Sequence, residues 1–159
     1  LPVESVETDL GKAGADQASA RLLAHISGGR PGYARRLMES PAAQDFRRAR
    51  LDDLSELLQA GRRARFAYAE SLAKDKETFR NVLLLWLAYW RDVLLRVARS
   101  QAPIANVDRA GQVEALAARL SLPEARRVVA DLEQAVERLE KNVNARLLAE
   151  VLLLDWPHG

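Results

Sequence analysis

The sequence predicts an all-α fold: the end of a small three-helix unit, followed by a larger helical bundle. Three observations carry that expectation. Runs of β-branched and aromatic residues in period two are absent, and Ala, Leu, Arg and Glu dominate. Apolar residues recur at helical spacing along most of the chain. Glycine and proline gather at the joints between the periodic stretches.

The elements follow in order. Pro2–Leu10 reads as a short helix ended by Gly11 and Gly14. Asp16 can cap a second helix that runs to Ile26, with Leu22, Leu23 and Ile26 as its apolar stripe. Gly28 and Gly29 end that stripe, because glycine takes the left-handed conformation a helix C-terminus often needs. Pro31 suits the first turn of a third helix, Pro31–Glu39. Ser40-Pro41 marks a boundary, since a residue before proline avoids the helical region. The expected division is therefore 1–40 and 41–159.

After Pro41, Phe46, Leu51, Leu54, Leu57 and Leu58 draw a helix that Gly61 ends, and Phe66, Tyr68, Ala69 and Leu72 draw the next. A long helix follows from about Lys76 to Arg99, apolar nearly all round between Val82 and Leu95. Its apolar core is too short for a membrane span of about 20 residues. Such a helix has to be covered on several sides, by a bundle or by another subunit. Three large rings, Trp86, Tyr89 and Trp90, fall within five positions and cannot share one side. At least one is expected to be partly exposed and to join an interface, so all three are interface candidates. Pro103 breaks the chain, and Asp108 reads as the cap of a helix to Leu120. Pro123 opens another that continues to about Lys141, with Val128, Val129, Leu132, Val136 and Leu139 on one face. Asn142 and Asn144 read as caps of a last helix through Leu154, stopped by Pro157.

Chemistry that requires a reactive centre is poorly represented. The 159 residues contain no cysteine, which excludes disulfides and thiolate metal sites and is compatible with an intracellular, cytoplasmic home. The chain opens on Leu1, which suggests an excised fragment, and no signal-peptide pattern follows. His25 and His158 have no second ligand at metal spacing. Gly11-Lys12 lacks the context of a phosphate loop, and Ser27 lacks an activating base. Asp52, Asp53 and Glu56 read as a solvated helix face that pairs with Arg48 or Arg50, not as a cation site. No catalytic residue, cofactor or metal is expected.

Nine arginines lie between Arg30 and Arg65: Arg30, Arg35, Arg36, Arg47, Arg48, Arg50, Arg62, Arg63 and Arg65. Asp45, Asp52, Asp53 and Glu56 are interleaved with them, and the formal charge of the chain is only +2. That balance favours a solvated or interface face over a phosphate-tracking surface. A helical nucleic-acid-binding domain built on residues 30–65 stays as the alternative.

The stretch Ala20-Arg-Leu-Leu-Ala-His-Ile-Ser-Gly-Gly-Arg-Pro-Gly-Tyr-Ala-Arg-Arg-Leu37 resembles the AAA+ lid of bacterial DNA polymerase III delta-prime subunits. Asn106-Val-Asp108 and Leu139-Glu-Lys-Asn-Val-Asn-Ala-Arg-Leu-Leu-Ala-Glu-Val-Leu-Leu-Leu154 resemble the C-terminal domain of the same family. The resemblance implies a lid over residues 1–40 and a helical collar over 41–159. It implies a role in assembling the five-subunit ring that places a sliding clamp on primed DNA. Its partners would be gamma/tau-like and delta-like subunits, with DNA reached only through the assembly, and the isolated chain could self-associate. Arg146, in the most specific block, is a further interface candidate. ATP-binding relatives carry a lid motif of the type Gly-Ser-x-Arg, whose arginine reaches the γ-phosphate. Laid on Gly28-Gly29-Arg30-Pro31, that position falls on Pro31, with Arg30 as its neighbour. The resemblance therefore points to a subunit that does not hold ATP, with the corresponding region of an ATP-binding gamma/tau subunit as the other option.

Overall fold

The computed structural model describes residues 2–141 and 143–158, and every regular element among them is helical. The helices are α1 (Val3–Lys12), α2 (Gln17–Ile26), α3 (Pro31–Glu39), α4 (Pro41–Gln59), α5 (Arg62–Leu72), α6 (Lys76–Val97), α7 (Ala110–Ala117), α8 (Leu122–Glu140) and α9 (Ala145–Leu154). A 3₁₀ turn, Val107–Arg109, precedes α7.

Helices α1–α3 pack around their own small apolar cluster, in which Val6, Leu10, Ala24, Ala34 and Leu37 are almost wholly buried. The Asp16 carboxylate caps α2 by accepting from the Ser19 N–H at 2.8 Å. Gly28 and Gly29 both take positive φ, +63° and +79°. That conformation ends α2 and aims the chain into α3, where Pro31 occupies the first turn. Gly11 lies inside α1, which runs past the expected stop to Lys12; the reversal is made at Gly14, φ +107°.

The second cluster is larger and spans α4 to α9. Helix α6 is its axis and is packed by α4, α5, α7 and α8. The neighbours explain how an almost entirely apolar helix escapes water. Caps set the ends: the Ser40 hydroxyl accepts from the Ala43 N–H, the Asp75 carboxylate from the Glu77 and Thr78 N–H groups, and Ser121 and Glu124 form a reciprocal capping box on α8. The Asn144 side chain accepts from the Leu147 N–H at 3.2 Å at the start of α9.

Two expectations are corrected by this packing. Trp86, Tyr89 and Trp90 are all buried, so none of them offers an exposed interface surface. The helices around α6 close over more of its circumference than ring spacing alone suggests. In addition, Trp156, which follows α9, folds back onto Trp86 and Trp90, with ring centroids 4.9 and 5.8 Å apart. The indole N–H groups of Trp90 and Trp156 are buried without a hydrogen-bond partner among the described residues. Asp108 is also not a helix cap. It sits in the 3₁₀ turn, α7 runs only to Ala117, and its carboxylate is held by Arg47 at 2.8 Å. A bidentate bond to a guanidinium outcompetes a single backbone N–H for that carboxylate.

Candidate functional site

The most informative surface is on α9. Its core side carries Ala149, Leu152 and Leu153, all buried. Leu147 and Val151, one turn apart on another side, are 56% and 52% exposed, and Val143 just before the helix is 42% exposed. Only five large apolar residues are exposed among the described residues, and these three belong to one helix and its entry. Phe66, on the α5 helix packed against α9, is a fourth. Clustered exposed apolar residues at a helix face make it a candidate contact surface. Arg146 stands beside them, exposed, with its Nε 3.0 Å from Glu150 and its guanidinium 4.0 Å from Glu70 of α5.

Two buried polar centres hold this scaffold. In the first, the Asp92 carboxylate on α6 accepts from the Ala105 N–H, the Asn106 N–H and the Asn106 side-chain amide, at 2.8–2.9 Å. Asn106 in turn accepts from Arg47 Nη2 at 2.7 Å, and Arg47 donates twice to Asp108 at 2.8 Å. The relay ties α4, α6 and the loop before α7 together. Burial raises the Asp108 pKa, but the hydrogen bonds and charge of Arg47 outweigh it and hold the carboxyl below its ordinary range. In the second centre, Arg65 is only 2% exposed. Its guanidinium donates to the carbonyls of Leu57 and Leu58 at the end of α4, to that of Leu153 at the end of α9, and to those of Trp156 and Pro157 just beyond it. One cation thus caps the negative ends of two helices. Burial lowers its pKa from the usual arginine range.

Arg30 Nε donates to the Ser27 carbonyl at 2.9 Å, and its guanidinium lies 4.8 Å from the Tyr33 ring centre. Pro31 opens α3. Ser27 is buried and its hydroxyl donates to the Ala24 carbonyl. No cluster of three or more His, Cys, Asp or Glu side chains placed to hold a metal occurs among the described residues. Asp53 pairs with Arg50 and accepts from the Tyr68 hydroxyl at 2.7 Å, while Asp52 pairs with Arg109, a partner outside its own helix. Of the arginines between 30 and 65, Arg35, Arg47, Arg48 and Arg50 each pair with a carboxylate and Arg65 is sequestered.

Periodicity assigns Leu147 and Val151 to the apolar set of the last helix without separating core from surface. The usable signal is the excess: apolar residues circle α9 more widely than one buried face requires. The expected capping role of Asn142 falls outside the described residues. No helix is long and apolar enough to cross a membrane among the described residues.

A family described as DNA polymerase III, delta subunit, C terminal, matches residues 44–158. No curated protein and no solved structure matches the chain. The match runs from the first turn of α4 through the Trp156–Pro157 segment that Arg65 anchors, and takes in both polar centres and the α9 face. The chain therefore belongs to the family formed by the C-terminal domains of DNA polymerase III delta subunits, which are clamp-loader components.

Proposed function

We propose that this chain is the lid and collar of a delta-prime-type clamp-loader subunit, and that its collar joins the ring through α9. Residues 1–40 act as the AAA+ lid-like helical subdomain and residues 41–159 as the oligomerisation domain. The partners are gamma/tau-like and delta-like subunits, and DNA is met only through the assembled ring. The chain contributes no catalytic group of its own. The observation that carries this reading is the stripe of exposed Leu147 and Val151, with Val143 beside it, in the family-matched region. An apolar stripe facing water raises the free energy of the lone chain, and a partner removes that cost. The delta-prime assignment over a gamma/tau-like one is supported by Pro31 standing at the position where an ATP-sensing lid carries arginine. The adjacent Arg30 donates its Nε to the Ser27 carbonyl, and its guanidinium lies over the Tyr33 ring. Arg35, Arg47, Arg48 and Arg50 pair with carboxylates and Arg65 is turned inward, which favours this reading over a nucleic-acid-binding domain.

The test is reconstitution with gamma/tau-like and delta-like subunits, followed by size exclusion and clamp-loading assays. A Leu147→Asp, Val151→Asp double variant is expected to keep its helicity and to enter the assembly at least about tenfold more weakly, because a charge at each position has to be desolvated in a contact. Unchanged incorporation of that variant, or failure of the parent chain to join the subunits, rejects the proposal.

A further inference from the structure

A second surface lies where α3, α4 and the outer side of α6 meet. It encloses a cavity of about 240 Å³. Its lining includes Arg30, Arg36 and Arg47 and contains no carboxylate, in a chain whose acidic and basic residues nearly balance at 22 and 24. Arg47 is neutralised by Asp108. Arg30 and Arg36 are exposed and pair with no carboxylate among the described residues; their guanidinium groups lie 4.8 and 5.3 Å from the Tyr33 ring centre. The opposite wall is apolar: Leu84, Leu85 and Ala88, half-buried on the stretch of α6 that the bundle leaves partly uncovered. Burial raises the pKa of the Tyr33 phenol even though Arg47, Arg30 and Arg36 pull it down.

The size and chemistry select an occupant. Pockets for drug-sized ligands run to about 300–1,000 Å³, so this one suits a single large side chain. Positive charge without its counter-charge at the rim calls for carboxylates. Single-stranded nucleic acid is typically held by aromatic faces on which bases stack, whereas the Tyr33 ring here carries guanidinium contacts. We propose that this groove docks an acidic peptide segment of a partner protein. One apolar side chain of that segment rests on Leu84, Leu85 and Ala88, and its flanking carboxylates are held by Arg30 and Arg36. The site shares no residue with the α9 face, so its test succeeds or fails independently of ring assembly.

The experiment titrates the 159-residue chain with a short fluorescein-labelled peptide in which one leucine sits between runs of aspartate and glutamate. Anisotropy reads affinity, and leucine methyl resonances of the protein read location. Binding is expected, with shifts at the Leu84 and Leu85 methyls. Replacing the leucine by serine, or the acids by glutamine, is expected to weaken it at least about tenfold. Arg36→Glu, at an exposed position that leaves helicity unchanged, is expected to do the same. The inference is overturned if the peptide does not bind, if the serine version binds equally well, or if the shifts lie elsewhere. It is equally overturned if oligothymidylate displaces the peptide from the same methyls with comparable affinity, which assigns the groove to nucleic acid.

Discussion

Arg65 is a buried cation whose partners are carbonyl oxygens at the ends of two helices, the farthest of them, Pro157, 92 positions along the chain from it. Removing it leaves those carbonyls without a donor. Arg65→Met, which keeps the volume of the stem, is expected to destabilise the chain by about 3 kcal/mol in urea denaturation. Arg65→Lys is expected to recover only part of that loss, because an ammonium cannot reach both helix ends at once. Asp108 makes the pH-dependent contribution. Its folded pKa is depressed, so its stabilisation is complete above the unfolded value of about 3.9 and drains away as pH falls through the folded value. Asp108→Asn is therefore expected to be less stable than the parent at neutral pH, and the gap between the two is expected to close in acid. Urea melts at stepped pH check this; a gap independent of pH rejects it. Neither arrangement is visible in local sequence pattern. Asn106 and Asp108 stand out through the family resemblance, but the partner that gives Asp108 its role lies 61 residues away in α4.

At the scale of helices, most boundaries are legible because their signals are local. Asp16 and Asn144 are side-chain caps, Gly28 and Gly29 take the left-handed turn, and Pro31 and Pro41 open helices. The helix before the long axis and the axis itself also lie where periodicity places them, within a residue or two. Which face a helix buries is harder to read where apolar residues surround it. In α6 the rings of Trp86, Tyr89 and Trp90 exceed what one face can hold, and the bundle covers them all. In α9 the same excess leaves Leu147 and Val151 in water. The difference lies in the neighbours: α6 is an axis with four helices around it, whereas α9 packs chiefly on α5 and α8. Periodicity reports how much of a helix is apolar, and only topology decides how much of that is covered.

Across the whole molecule, two apolar clusters of unequal size are joined through the α3–α4 connection and the contact of α2 with the 3₁₀ turn. The smaller one, under α1–α3, buries few large side chains, so less free energy holds it together. All three tryptophans of the chain belong to the larger cluster, gathered where α6 meets the segment after α9. Intrinsic emission is consequently a gauge of one spot and is blind to the other end of the molecule. In a denaturant titration, far-ultraviolet ellipticity is expected to begin falling before the emission maximum moves red, with the early loss equal to the three N-terminal helices. Coincident curves would show instead that the two clusters melt as one. Optical labels for watching the N-terminal helices have to be introduced there, because nature placed every indole at the far anchor.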